Sequence, residues 1–153
     1  MMRVGVLDVQ GDVKEHVSAL ERAADAVGVK AEVVEARTPE VIKSLSALVL
    51  PGGESTTVGR LISAYRLDEA IMEVAGDIPL FGTCGGMVLL SKEGDNLKRG
   101  QRMLGLMDAH VTRNAYGRQL DSFEAELHIP VLGDGGFHGV FIRAPALEKT
   151  WGG

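Results

Sequence analysis

The stretch FGTCGGM, residues 81–87, holds the only cysteine of the chain and is the strongest indicator of the fold. Glycines stand two positions before and two positions after Cys84. Where a strand turns sharply into a helix, the backbone at the turn is strained, and small neighbours let the chain pass without clashes. The pattern G-x-C-x-G therefore predicts a nucleophile elbow, with a buried strand before Cys84 and a helix after it.

An elbow places its cysteine at the carboxyl end of a parallel sheet, where open α/β folds have their sites. The N-terminus of the following helix favours a thiolate, and the N–H of Gly85 can point at a developing oxyanion. A buried structural cysteine is the competing interpretation, since free cysteine is among the most buried residue types. The flanking glycines favour the nucleophile.

The segments around the elbow alternate between strand and helix patterns. Short β-branched runs predict strands, and apolar residues at helical spacing, with Asp12 and Thr38 as caps, predict helices. This alternation predicts an α/β fold of three layers, with a mostly parallel sheet flanked by helices. Strands are expected at 3–9, 31–36, 47–53 and 78–82, and helices at 13–27, 38–45, 55–76 in two pieces and 86–93.

The second half of the chain has strand patterns joined by turns and no long helix. The patterns lie at residues 103–114, 122–129 and 137–145, and they predict an antiparallel extension of the sheet. There is no linker and no internal repeat, so we expect a single domain over residues 1–153.

Composition excludes several classes of protein. The net charge of -5 disfavours binding to nucleic acid. A single cysteine cannot form an internal disulfide, which fits a reducing compartment. No apolar run reaches the roughly 18 residues that a membrane span needs, and the N-terminus lacks the apolar core of a signal peptide. We therefore expect a cytoplasmic protein with no membrane partner.

A second glycine turn, LPGGEST at residues 50–56, also ends a strand and begins a helix. The N–H of Gly53 can face a substrate or an oxyanion, Glu54 can accept from an ammonium group, and Ser55 can cap the helix. Many such turns are only turns, so the signal is weak alone. The chain has no G-x-x-x-x-G-K-[ST] pattern, which argues against a phosphate-binding turn. We expect neither a cofactor nor a metal.

Two arginines are candidates for binding a carboxylate. Arg113 lies in the stretch 112–124, which is either a polar hairpin turn with Asn114 and Gly117 at the bend or a binding segment that pairs with a substrate. Arg143 is flanked by apolar residues on a predicted buried strand, where a charge needs a partner or a site.

Five stretches together resemble one family, the glutaminase subunits of pyridoxal 5'-phosphate synthase among the class I (triad) glutamine amidotransferases, which have a flavodoxin-like architecture. PGGEST and GTCGGM are similar to the amidotransferase class in general, and RNAYGRQLDSFE with GVFIRAP is similar to this subunit in particular. The resemblance covers almost the whole chain. The stretches are VGVLDVQGDVKEH, LPGGESTT, FGTCGGM, RNAYGRQLDSFE and GVFIRAP.

The resemblance implies hydrolysis of L-glutamine to glutamate and ammonia, without a cofactor. It also implies delivery of the ammonia to a separate synthase subunit in a large hetero-oligomer. By position, Cys84 corresponds to the nucleophile, and the backbone N–H groups of Gly85 and Gly53 correspond to the oxyanion donors. The positions that correspond to glutamine contacts are Gly53, Glu54, Ser55, Arg113, Ile142 and Arg143.

The sequence departs from the family pattern at its end. The triad histidine and glutamate of the family come from an H-P-E segment downstream of FIRAP, and the sequence ends at Gly153 before such a segment. We expect a domain that lacks this segment, and we interpret the four histidines (His16, His110, His128 and His138) as surface or strand residues.

Two alternatives to an active glutaminase remain open. One is a catalytically impaired regulatory or assembly subunit that binds glutamine or the synthase without hydrolysis, because a triad without its base loses orders of magnitude in turnover. The other is a cysteine hydrolase or chaperone of similar α/β architecture.

Overall fold

A four-stranded parallel sheet forms the centre of the protein in the computed structural model, which describes residues 1–117 and 121–152. The strand order is β2-β1-β3-β4, and each neighbouring pair is parallel. The predicted strands are therefore confirmed, with β3 and β4 shorter than expected. Their bounds are β1 Met2–Leu7, β2 Ala31–Ala36, β3 Ala47–Leu50 and β4 Leu80–Gly82.

Helices cover both faces of this sheet. Alternate residues of a strand point to opposite faces, so Val6 and Val49 pack with helix α1, whereas Leu7 and Leu50 pack with the other helices. The predicted three-layer α/β fold is confirmed. The helices of the described residues are all too short or too polar to cross a membrane. Their bounds are α1 Val13–Val27, α2 Pro39–Lys43, α3 Ser55–Ala64, α4 Leu67–Val74 and α5 Gly85–Leu90.

Most helix ends lie where the sequence predicts them. Gly28 ends α1 with a left-handed φ of 68°, and the Thr38 hydroxyl accepts from the N–H of Val41 at the start of α2. Arg66, with a φ of 58°, separates α3 from α4, so the predicted division into two pieces is confirmed. Asp12 is the N-cap residue of α1 as expected, but its carboxylate makes no capping hydrogen bond.

The remaining strands form two further sheets beside the parallel one. In the first, β5 pairs parallel with β6 and β6 pairs antiparallel with β9; in the second, β7 and β8 form an antiparallel hairpin. The predicted antiparallel strands are present, but they pair in separate sheets and do not extend the parallel sheet as expected. Their bounds are β5 Ser91–Asp95, β6 Met107–Thr112, β7 Phe123–His128, β8 Gly136–Phe141 and β9 Ala146–Thr150.

The helix after Cys84 is shorter than its sequence pattern predicts. Residues 91–93 are strand rather than helix, because Ser91 has an extended ψ of 151° and pairs with Met107 of β6. The Ser91 hydroxyl donates to the Met87 carbonyl at 2.9 Å, which satisfies a carbonyl in the last turn of α5.

Candidate active site

Cys84 occupies a sharp turn between β4 and α5, as the sequence predicts. Its φ of 48° and ψ of -109° lie in a strained region for a residue with a side chain. The glycines at both sides are sterically required: a Cβ on Gly82 would lie 2.6 Å from the carbonyl carbon of Gly86, and one on Gly86 would lie 2.1 Å from the Leu50 carbonyl oxygen. The geometry is that of a nucleophile elbow.

The backbone N–H groups of Gly85 and Gly53 act on the Cys84 thiol and favour its charged form. The side chain lines the pocket and is exposed to solvent on one side. Partial burial of the thiol raises its pKa by desolvation, and the negative charge of Asp12 acts in the same direction. The two N–H groups and Arg113 act to lower the pKa, but their effect is smaller than the increase caused by desolvation and Asp12. The expected preference for thiolate is therefore wrong, since desolvation exceeds the effect of the backbone donors and the pKa is raised.

The loop after β1 braces the glycine turn after β3. Gln10 accepts from the N–H of Glu54 at 3.1 Å, and the N–H of Asp12 donates to the Gly52 carbonyl at 3.3 Å. Gly11, with a φ of 115°, is needed here because a Cβ would lie 1.8 Å from the Gly52 carbonyl oxygen. The position of Gly53 beside Cys84 is thus set by two loops together.

Glu54, rather than Ser55, caps helix α3. Its carboxylate accepts from the N–H of Thr56 at 3.3 Å and from the N–H and hydroxyl of Thr57 at 2.9 and 2.8 Å. Burial acts to raise the pKa of Glu54, but these hydrogen bonds together outweigh it and lower the pKa to about 2. The predicted cap at Ser55 is wrong because Glu54 precedes it and its longer side chain reaches the free N–H groups.

Arg113 follows the end of β6 and contacts Glu54. Its Nη2 lies 2.9 Å from Glu54 Oε1, and its side chain is only 13% exposed. Asn114 and Gly117 form the predicted bend, with a hydrogen bond of 3.2 Å from the Gly117 N–H to the Asn114 carbonyl. Residues 118–120 of the predicted stretch 112–124 lie outside the described residues.

Arg143 is placed differently from the sequence prediction. It follows the end of β8 at a left-handed φ of 49°, with an exposed side chain, rather than within a buried strand. Its neighbour Ile142 is also exposed, at 51%. The Ala115 N–H donates to the Ala144 carbonyl at 3.0 Å, which holds this turn against the segment after Arg113.

One pocket of about 240 Å³ brings every predicted site residue together. The residues that sequence reasoning missed are Val88, Asn114 and Pro145. A sequence signal exists for Asn114, because it follows the candidate Arg113 and asparagine tolerates the left-handed φ of 53° found here. No sequence pattern points to Val88 or Pro145, which are only close to predicted site residues in the chain. The predicted residues in the lining are Gly53, Glu54, Ser55, Cys84, Gly85, Arg113, Ile142 and Arg143.

The hydrogen bonds and ion pairs of His16, His110 and His138 within the described residues are with oxygen atoms and not with the Cys84 sulfur. His16 Nε2 lies 2.9 Å from the Thr83 hydroxyl, next to the elbow, while its Nδ1 lies 2.8 Å from the Asp12 carbonyl oxygen. His110 lies between Glu93 and Asp95, and His138 lies between Glu124 and Glu126.

Comparisons with known proteins agree on one family. A model of the SNO glutamine amidotransferase family matches residues 6–152. The chain is 51% identical over 149 residues to "Pyridoxal 5'-phosphate synthase subunit PdxT" of Methanosarcina acetivorans, covering 95% of this chain and 74% of the relative. It is 48% identical over 150 residues to the protein of the same name from Thermococcus onnurineus, covering 97% of this chain and 76% of the relative.

A solved structure supports the same assignment. A protein described as "Crystal structure of glutamine amidotransferase" superposes with a TM-score of 0.80 at 43% identity, covering 97% of this chain and 75% of that one. The chain belongs to the SNO glutamine amidotransferase family.

Proposed function

We propose that the protein is a glutaminase subunit that hydrolyses L-glutamine to glutamate and ammonia for pyridoxal 5'-phosphate synthesis. The observation that carries the proposal is a thiol on a strained strand-to-helix turn, in a pocket lined by a carboxylate and two guanidinium groups. Relatives named "Pyridoxal 5'-phosphate synthase subunit PdxT" support it. We assign residues 1–153 to one glutaminase domain.

The pocket has complementary groups for a free amino acid. In the proposal, Arg113 and Arg143 attract the α-carboxylate, and Glu54 faces the α-ammonium group. Gly53, Ser55 and Ile142 complete the wall. The side-chain amide then reaches Cys84.

The proposed reaction has two stages. Cys84 Sγ forms a bond to the amide carbon of glutamine, and the N–H groups of Gly85 and Gly53 stabilise the oxyanion. The C–N bond then breaks, and nitrogen leaves as ammonia with the thiol proton. Water adds to the γ-glutamyl thioester, the C–S bond breaks, and glutamate leaves with the thiol restored. Because burial raises the pKa of Cys84, the first stage needs a proton acceptor in the reacting complex.

We further propose that the ammonia passes to a synthase subunit in a hetero-oligomeric complex in the cytoplasm. The names of the relatives support a partner subunit. The single unpaired Cys84 supports a reducing compartment, because a nucleophilic thiol has to stay reduced.

A glutamine analogue that carries an electrophile at the side-chain carbon tests the proposal. Mass spectrometry of the intact protein should show one adduct on Cys84, excess L-glutamine should suppress it, and Cys84→Ala should abolish it. Absence of an adduct on the folded wild-type protein would contradict the proposal. Ammonia release in the presence of the synthase subunit, lost in Cys84→Ala, separates hydrolysis from binding alone.

A further inference from the structure

We propose that Gln101 is a positioning residue for the glycine turn of the substrate pocket, an inference that rests on the proposed glutaminase function. Gln101 does not line the pocket. It lies in the segment between β5 and β6, and its side-chain amide reaches the start of α3, 45 and 46 positions earlier in the chain.

The amide of Gln101 uses its acceptor and its donors at the same time. Its Oε1 accepts from the Ser55 hydroxyl at 3.1 Å and from the Thr56 hydroxyl at 2.9 Å. Its Nε2 donates to the Ser55 carbonyl at 3.2 Å and to the Arg102 carbonyl at 2.9 Å. An amide has two acceptor sites and two donors, so this side chain is fully satisfied.

Two of the three partner residues of Gln101, Ser55 and Thr56, are buried. Ser55 is 3% exposed and Thr56 is 5% exposed, so little water is available to replace a lost bond. A buried hydroxyl or carbonyl without a partner costs free energy, and the local backbone moves to find one. The first turn of α3 is therefore held in place from outside the helix.

The first turn of α3 in turn sets the geometry of the pocket. Glu54 caps this turn and contacts Arg113, and Gly53 lines the pocket together with Cys84. A shift of Ser55 is passed along the backbone to both residues. Gln101 thus acts on the pocket through Ser55 and not by contact with the substrate.

The chemistry favours glutamine at this position. Glutamate at 101 keeps the acceptor but turns the donating nitrogen into an oxygen that faces the Ser55 carbonyl. Methionine keeps the length of the side chain but has neither the amide acceptor nor the amide donors. Arg99, on the exposed surface of the same segment, is a matched control.

Two measurements on the whole chain test the inference. The first is the ratio of two Cys84 labelling rates, with the electrophilic glutamine analogue and with iodoacetamide, which needs no amino-acid pocket. The second is amide hydrogen exchange over residues 53–58, which is independent of glutamine. We expect Gln101→Glu and Gln101→Met to lower the labelling ratio about tenfold and to speed exchange over 53–58. Arg99→Ala should change neither.

The outcomes separate the inference from the proposed function. Normal exchange over 53–58 in both folded Gln101 variants, or a normal labelling ratio despite faster exchange, would overturn the positioning role. If the wild-type protein shows no glutamine-directed labelling, the proposed function fails first, and exchange then decides whether Gln101 holds the turn. If Gln101→Glu fails to fold, judged by circular dichroism, Gln101→Met decides.

Discussion

Arg113 Nη2 lies 2.9 Å from Glu54 Oε1 and joins two walls of the pocket that are 59 positions apart in the chain. The same carboxylate caps α3 through Thr56 and Thr57. Glu54 therefore links the first turn of a helix to a guanidinium at the end of β6. A substrate that enters the pocket meets this pair already formed.

Arg113→Ala should weaken glutamine binding. A hydrogen bond to a charged group contributes about 1.5–3 kcal/mol, which corresponds to an affinity loss of about 10- to 100-fold. Calorimetric titration with L-glutamine measures the change. Arg113→Lys keeps the charge without the planar fork and should lose an intermediate amount. Wild-type affinity in Arg113→Ala would exclude a role for this side chain in binding.

Glu54→Ala should destabilise the fold in a pH-dependent way. The pKa of Glu54 in the folded protein is about 2, below its ordinary value of 4.5, so the carboxylate adds stability above pH 4.5 and loses it as the pH falls towards 2. Allowing for a side chain that is 33% exposed, we expect a loss of about 1–2 kcal/mol at pH 7.

Urea unfolding at pH 7 and pH 3 checks this expectation. The difference between wild type and Glu54→Ala should shrink at the lower pH. Glu15→Ala, which removes an exposed carboxylate from the first turn of α1, should stay within about 0.5 kcal/mol at both pH values. A Glu54→Ala deficit that is equal at pH 7 and pH 3 would contradict the low pKa.

Alkylation of Cys84 should respond to pH as a thiol with a raised pKa. The iodoacetamide rate should have its midpoint above that of a small thiol in the same buffers, because burial disfavours the thiolate. Asp12→Asn should lower the midpoint and Arg113→Ala should raise it, since their charges act in opposite directions on the sulfur. A wild-type midpoint below that of the small thiol would show a thiolate that is already stabilised.

Gly86→Ala should destabilise the elbow. The added Cβ would lie 2.1 Å from the Leu50 carbonyl oxygen, so the backbone has to shift, at a cost of about 1–3 kcal/mol. Gly76→Ala is the matched control, because its Cβ meets no atom within 4 Å. That control should be neutral or stabilising by up to about 1 kcal/mol. Equal thermal midpoints for the two variants would mean that the elbow tolerates a side chain.

Phe141→Ala should loosen the wall that carries Ile142 and Arg143. Phe141 stacks on Phe123 with a centroid distance of 4.6 Å, and Tyr116 meets Phe141 edge-on at 5.7 Å. Loss of the stack should weaken glutamine binding in calorimetry, while Phe141→Leu should restore part of it. Unchanged binding in a folded Phe141→Ala protein would show that the backbone alone holds this wall.

Sequence reasoning succeeded where the structure depends on near neighbours. The glycines around Cys84 indicate a turn whose crowding involves residues close in the chain or in the adjacent strand, and the alternating patterns indicate parallel strands covered by helices. It failed at residues 91–93. Their sequence pattern predicts a continuation of helix α5, but these residues pair with β6 and form a strand. It also failed for the pKa of Cys84, because the sequence pattern does not reveal how far the folded chain buries the thiol.

Local sequence was sufficient to specify the elbow, the parallel strands covered by helices and the family, because glycine sterics, apolar periodicity and contiguous motifs operate over a few residues. Packing in three dimensions was needed to choose the partners of the charged and polar groups. Glu54 caps α3 and pairs with Arg113, and Gln101 holds Ser55, although these pairs are 46 or more positions apart. Such choices depend on burial and on the cost of an unpaired polar group, and both exist only once the chain has folded.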